Sequence, residues 1–210
     1  MDASFWHERW QNDQIAFHEG ARNALLARHW PGLCMGHRVF VPLCGKAEDL
    51  AWLAAQGHDV VGAELDARAV AAFFAEHDLA PEISRQGGLT LYAAGSVSIW
   101  QGDIFALNAE ALGPVDATFD RAALVALPPE MRARYAPHLT ALTSRAPQLL
   151  ITYEYTNPEM QGPPHSVPEK EVRERYEAAY SVTTLERTDI TGPLLSRTTG
   201  SEAAYHLAPR

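Results

Sequence analysis

The chain has 210 residues, of which 47% are apolar and 20% are charged, which fits one domain of fairly large size or at most two small ones with a sizeable core. Its formal net charge is −9. Because proteins that wrap phosphate backbones carry the opposite sign, this charge argues against nucleic acids and anionic membranes as partners. A small-molecule substrate is expected by elimination.

The beginning of the chain and its cysteines predict a cytoplasmic protein. No segment comes close to the roughly 20 apolar residues that cross a bilayer, and MDASFWHERW lacks the basic-then-apolar order of a secretory signal. The two cysteines, Cys34 and Cys44, do not make a disulfide framework, so a reducing compartment is expected. His29, Cys34 and His37 are close in sequence, but their spacing matches no common zinc pattern, and no metal is expected.

Two short helices are predicted in the first 30 residues, each with one apolar stripe. The stripes are Phe5, Trp6 and Trp10 in the first helix, and Leu25, Leu26 and Trp30 in the second. Pro31 and Gly32 then break the chain.

Strand and helix patterns alternate from there on. Strands are predicted at RVFVPLCG, HDVVGAELD, VDATFD and QLLITYEY, and two more in LTLYAAGSVSIWQGD around a turn at Gly95-Ser96. Helices are predicted at AEDLAWLAAQG, DARAVAAFFAEHDL, PEMRARYAPHLTALT and EKEVRERYEAAY. This order predicts an α/β fold with a mostly parallel sheet covered on both faces. The last two strands, SVTTLERTDI and SEAAYHL, predict an antiparallel hairpin at one edge.

Ligands of such sheets bind at the carboxyl ends of the strands, near the point where the strand order reverses. The first strand is followed by Gly45, whose missing side chain lets backbone approach a ligand closely. Gly45 stands alone, so neither a phosphate loop nor a dinucleotide pattern is present. A single glycine can still admit the sulfonium part of S-adenosylmethionine (SAM), or it can simply form a tight turn.

Two further strand ends carry carboxylates suited to an adenosine ligand. Glu64 follows Gly45 by nineteen positions and could accept hydrogen bonds from both ribose hydroxyls, or it could be a solvated acid. Asp103 could accept from an adenine amino group while Ile104 packs on the ring. The alternative role of Asp103 is to cap the following turn.

The fourth parallel strand ends in Asp120-Arg121, at the place where a group transferred from SAM would lie. The planar, permanently charged Arg121 could stabilise a thiolate or a purine acceptor, with Asp120 fixing its direction. The alternative is a structural ion pair between the two side chains.

Aromatic residues near the N-terminus could cover such a site. Trp6, Trp10 and Phe17 belong to core packing or to a lid, and aromatic faces attract a sulfonium cation. Phe17 falls in a predicted loop, which favours the lid.

Together with the stretches around them, these residues resemble the thiopurine S-methyltransferase family, in its bacterial branch. The matching stretches are FWHERW, AFHEG, RVFVPLCGKAEDLAWLAAQGHDVVGAEL, FDRAALVALPPEMRARYA and the GPP turn near Gly162. The similarity extends to about Tyr180. Two departures affect the acceptor side: His165 stands where relatives usually have Phe, and the stretch from Thr191 to Ser201 matches no family pattern.

The resemblance implies a class I SAM-dependent methyltransferase fold: a Rossmann-like three-layer sandwich around a seven-stranded sheet. It implies one domain over residues 1–210, with residues 1–30 as a helical lid and residues 37–210 as the α/β core. It implies that SAM is contacted by Trp10, Leu43, Glu64 and Arg121, with Gly45 beside its methionine part, Asp103 and Ile104 at the adenine, and Trp6 and Phe17 covering the site.

The expected reaction is methyl transfer from SAM to the sulfur of an aromatic or heterocyclic thiol such as a thiopurine. Arg121, supported by Asp120, is the expected catalytic residue, and the enzyme is expected to be a monomer. Methylation of selenium or tellurium compounds in detoxification is an alternative, since a soft nucleophile on any chalcogen suits the same site. A SAM-binding module without turnover is a second alternative.

Overall fold

The computed structural model describes residues 3–15, 18, 20–33 and 35–210. The helices within these residues are α1 (Ala3–Gln11), α2 (Ala24–His29), α3 (Glu48–Ala55), α4 (Ala67–Glu76), α5 (Ala109–Leu112), α6 (Ala123–Ala126), α7 (Pro129–Leu142) and α8 (Glu169–Tyr176). The strands are β1 (Arg38–Pro42), β2 (Asp59–Glu64), β3 (Glu82–Gln86), β4 (Leu89–Ala94), β5 (Val97–Gln101), β6 (Ala117–Asp120), β7 (Gln148–Tyr155), β8 (Tyr180–Asp189) and β9 (Gly200–Pro209). Short 3₁₀ turns occupy Trp30–Gly32, Ile104–Ala106 and Gly192–Ser196.

The strands form one sheet in the order β3-β4-β5-β2-β1-β6-β7-β9-β8. The five strands β5, β2, β1, β6 and β7 pair in parallel. The pairs β4–β5, β3–β4, β7–β9 and β8–β9 are antiparallel, so only β4 and β9 run against the others. The strand order reverses at β1, which places the carboxyl ends of β1, β2 and β6 side by side.

Helices cover both faces of the sheet and give the three layers of a doubly wound α/β fold. One face buries apolar side chains of α2, α3 and α4, including Leu26, Leu50 and Phe73. The other face buries side chains of α5 to α8, including Leu139 and Tyr176. Strands covered on both sides explain the nearly continuous apolar runs in the sequence of β1 and β2.

The predicted fold class is confirmed, with one addition to the sheet. Seven strands form the mostly parallel sheet with its antiparallel edge hairpin. The strand β4, which the sequence pattern predicted, and β3, which it did not, extend the sheet to nine within the described residues. The strand β3 gave no signal in the sequence because every one of its residues is exposed, so no face of it had to be apolar.

The two N-terminal helices differ in their packing. In α2, Leu25 and Leu26 are buried against the sheet, and the Asn23 side chain caps the helix by accepting from the amides of both leucines. In α1 no residue is fully buried. Of the two predicted lid helices, α2 is therefore part of the core, and α1 is the one that lies on the surface. No described helix has both the length and the apolar character to cross a membrane.

We predict that Gly62→Ala destabilises the fold, because Gly62 lies where β2 meets the β1 loop and α3. An added Cβ would lie 2.7 Å from Cys44 Sγ and 3.1 Å from Leu50 Cδ2. Overpacking of this kind costs about 1–3 kcal/mol in the free energy of unfolding, which urea denaturation measures. The matched control is Gly88→Ala, since no described heavy atom lies within 4 Å of its added Cβ. Equal stability of the two variants would contradict the prediction.

Candidate active site

A cavity of about 360 Å³ opens at the carboxyl ends of the parallel strands. Its walls combine the loop after β1, the end of β2, the segment after β6, the middle of β7 and the surface helix α1. Of the residues predicted for the site, the structure brings together Trp6, Trp10, Leu43, Gly45, Glu64 and Arg121 around this cavity. Phe17 lies outside the described residues.

The loop after β1 is a tight turn with two left-handed residues. Leu43 has a φ of 48° and Gly45 a φ of 56°. The amide of Cys44 between them donates to the Ala63 carbonyl over 3.0 Å, which ties the loop to β2. A Cβ on Gly45 would lie 3.4 Å from the Trp10 ring of α1. The glycine therefore leaves space between the loop and α1. A side chain here would narrow the cavity.

Glu64 is buried at the end of β2 and joins two loops through its carboxylate. One oxygen accepts from the Gly45 amide over 2.8 Å, and the other accepts from the Asp66 amide over 2.8 Å. Burial raises the pKa of Glu64, although these two hydrogen bonds oppose the shift. A carboxylate has about four acceptor positions, so about two are left for a ligand in the cavity. These acceptor positions fit the two hydroxyls of a ribose.

The helix α1 lies over the cavity and is attached to the core beside Glu64. His7 Nδ1 lies 2.7 Å from the buried carboxylate of Asp66, which also caps α4 by accepting from the Arg68 amide. The Arg68 guanidinium donates to the His7 carbonyl over 2.9 Å. These contacts hold Trp6 and Trp10 at the cavity wall. The aromatic faces that the sequence predicted for a lid are therefore at the site.

Asp120 and Arg121 diverge after β6. Arg121 is half-buried and lines the cavity, whereas the Asp120 carboxylate is fully buried beneath it. Asp120 accepts from the Tyr135 hydroxyl over 2.7 Å and from the amides of Ala123 and Leu124 over 3.1 and 3.2 Å. The sequence left open whether Asp120 fixes the direction of Arg121 or forms a structural ion pair with it. In the structure, the hydrogen bonds of the Asp120 carboxylate go to the start of α6 and to α7.

Asp103 and Ile104 do not line this cavity. Asp103 is exposed and caps the turn after β5 by accepting from the Phe105 amide over 2.9 Å, while Ile104 is buried in the core. They still belong to the same edge of the sheet, because the Gly102 amide donates to the Glu64 carbonyl over 2.8 Å. The side-chain contact of Asp103 matches its alternative role, that of a cap for the following turn.

Several lining residues were not singled out in the sequence. They are Arg9, Gln14, Ala47, Ala122, Val125, Ala126, Pro193, Leu194, Ser196 and Arg197. Val125 and Ala126 follow Arg121 by one turn of α6, a spacing that the DRAALVAL segment could have indicated. The residues of the 3₁₀ turn Gly192–Ser196 carry no chemical pattern that would identify them. Burial and the nearby Lys46 lower the pKa of His18, which therefore stays neutral at neutral pH.

The sheet and its strand-end cavity define a fold class, the Rossmann-like α/β fold that solved methyltransferases share. Solved structures support this class by their fold alone. The 1,6-didemethyltoxoflavin-N1-methyltransferase of Burkholderia thailandensis, solved with its substrate and S-adenosylhomocysteine, aligns with a TM-score of 0.68 at 15% identity, over 99% of this chain and 87% of its own. A SAM-dependent methyltransferase from Anabaena variabilis aligns with a TM-score of 0.67 at 13% identity, over 99% and 95%.

Sequence comparison defines the family within that class. The family model for thiopurine S-methyltransferase matches residues 1–207. The chain is 52% identical to a thiopurine S-methyltransferase of Xanthobacter autotrophicus, over 99% of this chain and 97% of that protein. It is 46% identical to one from Teredinibacter turnerae, over 99% and 98%. The chain therefore belongs to the thiopurine S-methyltransferase family and is a SAM-dependent methyltransferase.

We predict that Glu64→Ala and Glu64→Gln both weaken SAM binding. Loss of hydrogen bonds to a charged group predicts about 1.5–3 kcal/mol for the alanine variant, measured by titration calorimetry with SAM and S-adenosylhomocysteine. Glutamine keeps the size of the side chain and one acceptor oxygen, but it removes the charge and places its NH₂ group against one of the two loop amides. Because burial raises the pKa of Glu64, acidification should weaken SAM binding by the wild type but not by the glutamine variant. Unchanged affinity in both folded variants would remove Glu64 from the site.

We predict that His7 fastens α1 over the cavity. In the wild type, S-adenosylhomocysteine should slow hydrogen exchange in residues 3–11. His7→Ala removes the contact with Asp66, so exchange in α1 should rise and SAM affinity should fall about two- to fivefold, the value of one partly exposed side-chain contact. Glu8→Ala on the exposed face of the same helix is the control. Equal exchange with and without ligand would mean that α1 is not a lid.

Proposed function

We propose that the protein transfers the methyl group of SAM to the sulfur of aromatic or heterocyclic thiols, such as thiopurines. The observation that carries the proposal is the position of Arg121 in a cavity whose nearby walls are apolar, among them Leu43, Val125 and Pro163. Apolar walls suit an aromatic ring, and a guanidinium suits the charge of a thiolate. The names of the family and of its curated members support the same acceptor class.

For the cofactor, we assign a part of SAM to each wall of the cavity. Leu43 and Gly45 would lie along the methionine part of SAM, and Glu64 would accept from the ribose hydroxyls. Trp6 and Trp10 would cover the sulfonium with aromatic faces. Asp103 and Ile104 are proposed for the adenine, next to Glu64 along the same edge, and Phe17 for the cover over the site. The buried carboxylate, the side-chain-free Gly45 and the two indoles fit this ligand.

The mechanism that follows is a direct displacement in which the protein positions the reactants. SAM supplies a methyl group on a sulfonium, which a soft nucleophile attacks while S-adenosylhomocysteine leaves. Holding nucleophile, carbon and leaving sulfur in line can supply on the order of 7–11 kcal/mol. Arg121 favours the ionised thiol, and the surrounding apolar walls strengthen this attraction by excluding water. Aromatic thiols ionise readily, so no side chain has to act as a strong base or to form a covalent intermediate.

A radiolabelled-methyl assay tests the acceptor class. Wild-type enzyme is incubated with labelled SAM and a panel of thiophenols, thiopurines, selenite and tellurite. Transfer to the aromatic thiols supports the proposal. Transfer to selenite or tellurite alone would mean that the acceptor is a selenium or tellurium compound and not a thiol. Binding of SAM without transfer to any acceptor would mean that the protein is a binding module.

We predict that Arg121→Lys lowers kcat/KM partly and that Arg121→Ala lowers it by about 10²–10³, as for loss of one preorganised electrostatic donor. The loss should be greatest for the least acidic thiols, because these depend most on help in ionising. The measurement is kcat/KM across thiophenols of graded pKa.

The control for Arg121 is Arg85→Ala, a change of the same type on the exposed strand β3. It should leave kcat/KM unchanged for every thiol. If Arg121 is only structural, the alanine variant will melt at a lower temperature and lose the same fraction of activity with every acceptor. Such a flat profile would contradict the catalytic role.

A further inference from the structure

One short segment supplies four lining residues to the proposed acceptor side of the cavity. Arg121 and Ala122, directly after β6, line it together with Val125 and Ala126 of α6. The helix α6 has only four residues, and its N-cap residue, Ala122, has no side chain that could bond the first amides. A helix of one turn is not stable by itself, so contacts from elsewhere must hold it.

The contact at the start of α6 comes from Asp120. Its Oδ1 accepts from the amides of Ala123 and Leu124 over 3.1 and 3.2 Å, and its Oδ2 accepts from the Tyr135 hydroxyl over 2.7 Å. Asp120 and Tyr135 are both fully buried. The carboxylate therefore joins the first turn of α6 to α7 at a point that no solvent reaches.

The opposite end of α6 is fixed to the same helix. Arg132 of α7 donates to the Leu127 carbonyl over 2.8 Å, and its guanidinium is paired with Glu171. The Val125 carbonyl accepts from the His165 amide over 2.6 Å, which connects α6 to the GPP turn. The proline turn lines the cavity as well, so displacement of α6 would move both walls.

We propose that the Asp120–Tyr135 pair is the positioning element of the acceptor wall, acting on the reaction through α6 and Arg121. It follows that the pair affects binding of the acceptor and leaves binding of SAM to the β1 and β2 loops unchanged. The kinetic part of this inference rests on the proposed function, because it needs an acceptor that the enzyme methylates.

The charge of Asp120 gives the wall a pH dependence. Burial raises the pKa of Asp120 to about 6, while the hydrogen bond from Tyr135 and the two amides oppose the shift. In the described part of the chain, Asp120 is faced by Tyr135 from α7 and Tyr176 from α8, and Arg121 follows it. Burial raises the pKa of both tyrosines, so they stay neutral in this range. Protonation below about pH 6 turns one acceptor oxygen into a donor and loosens the start of α6.

The global stability should change with pH in the opposite direction. A carboxyl whose pKa is raised on folding binds more protons in the native state, so its contribution to stability is present in acid and is lost as the pH rises through about 6. A looser wall in acid can therefore be distinguished from a less stable fold.

The matched experiment compares Tyr135→Phe with Tyr176→Phe. Both changes remove one hydroxyl from a fully buried ring, but the Tyr176 hydroxyl has no hydrogen-bond partner among the described residues. In Tyr135→Phe, the protection factors of the Ala123 and Leu124 amides should fall on the order of tenfold, the size expected for one lost hydrogen bond to a charged group. This readout needs no acceptor.

The kinetic readout uses a thiol that the wild type methylates. In Tyr135→Phe, acceptor KM should rise on the order of tenfold with SAM affinity unchanged. In the pH profile of kcat/KM, the acid limb, where activity falls with falling pH, should move to higher pH. The reason is that the hydrogen bond that lowers the pKa of Asp120 is gone. Asp120→Asn, which cannot titrate, should show no acid limb from this group and serves if Tyr135→Phe fails to fold.

The outcomes separate this inference from the proposed function. If the wild type methylates no thiol, the proposed function fails, while the amide protection still decides the role of the pair. The inference is overturned if Tyr135→Phe equals Tyr176→Phe in amide protection. It is also overturned if SAM affinity falls as much as acceptor affinity, or if Asp120→Asn keeps the wild-type acid limb.

Discussion

The site depends on one buried carboxylate, Glu64, that accepts hydrogen bonds from the backbones of two loops. Its two oxygens hold the amides of Gly45 and Asp66, so the end of β2 fixes the loop after β1 and the start of α4. Burying an ionised group is costly unless it is hydrogen-bonded, and the raised pKa of Glu64 reflects that cost. Glu64 also lines the cavity, so its remaining acceptor positions can meet a ligand there. One side chain therefore joins two loops of the proposed cofactor side and is available to bind a ligand.

The proposed acceptor side is held by the same kind of contact, from Asp120. Both carboxylates sit at the ends of parallel strands, both are buried, and both bond backbone amides of the following segment. Glu64 lines the cavity, whereas Asp120 lies beneath it, so only the first can touch a ligand directly. The two walls are thus held by separate groups and can change independently. This separation suits a reaction in which the methyl donor stays the same while the acceptor varies.

Much of the architecture could be read from the sequence because burial leaves a pattern. Strands covered on both faces need continuous apolar runs, and helices that pack on one face need apolar stripes, so β1, β2, α3 and α4 were predicted. The positions of Gly45, Glu64 and Arg121 followed from strand ends. The strand β3 was missed because its exposed residues carry no such pattern. The inward turn of Asp120 was missed because two neighbouring residues at a strand end look equivalent in sequence, and only the pleat separates their directions.

The hairpin of β3 and β4 determines which strand forms the exposed edge of the sheet on this side. Without it, the sheet would end at β5, whose Val97, Ile99 and Trp100 are buried, and the unpaired backbone of an apolar strand would face solvent. Such an edge can template pairing with another chain. The hairpin moves the unpaired edge to β3, a five-residue strand with Glu82 and Arg85 among its exposed side chains. A short, charged edge resists growth of the sheet from one molecule to the next, so the hairpin opposes edge-to-edge pairing between copies of the chain.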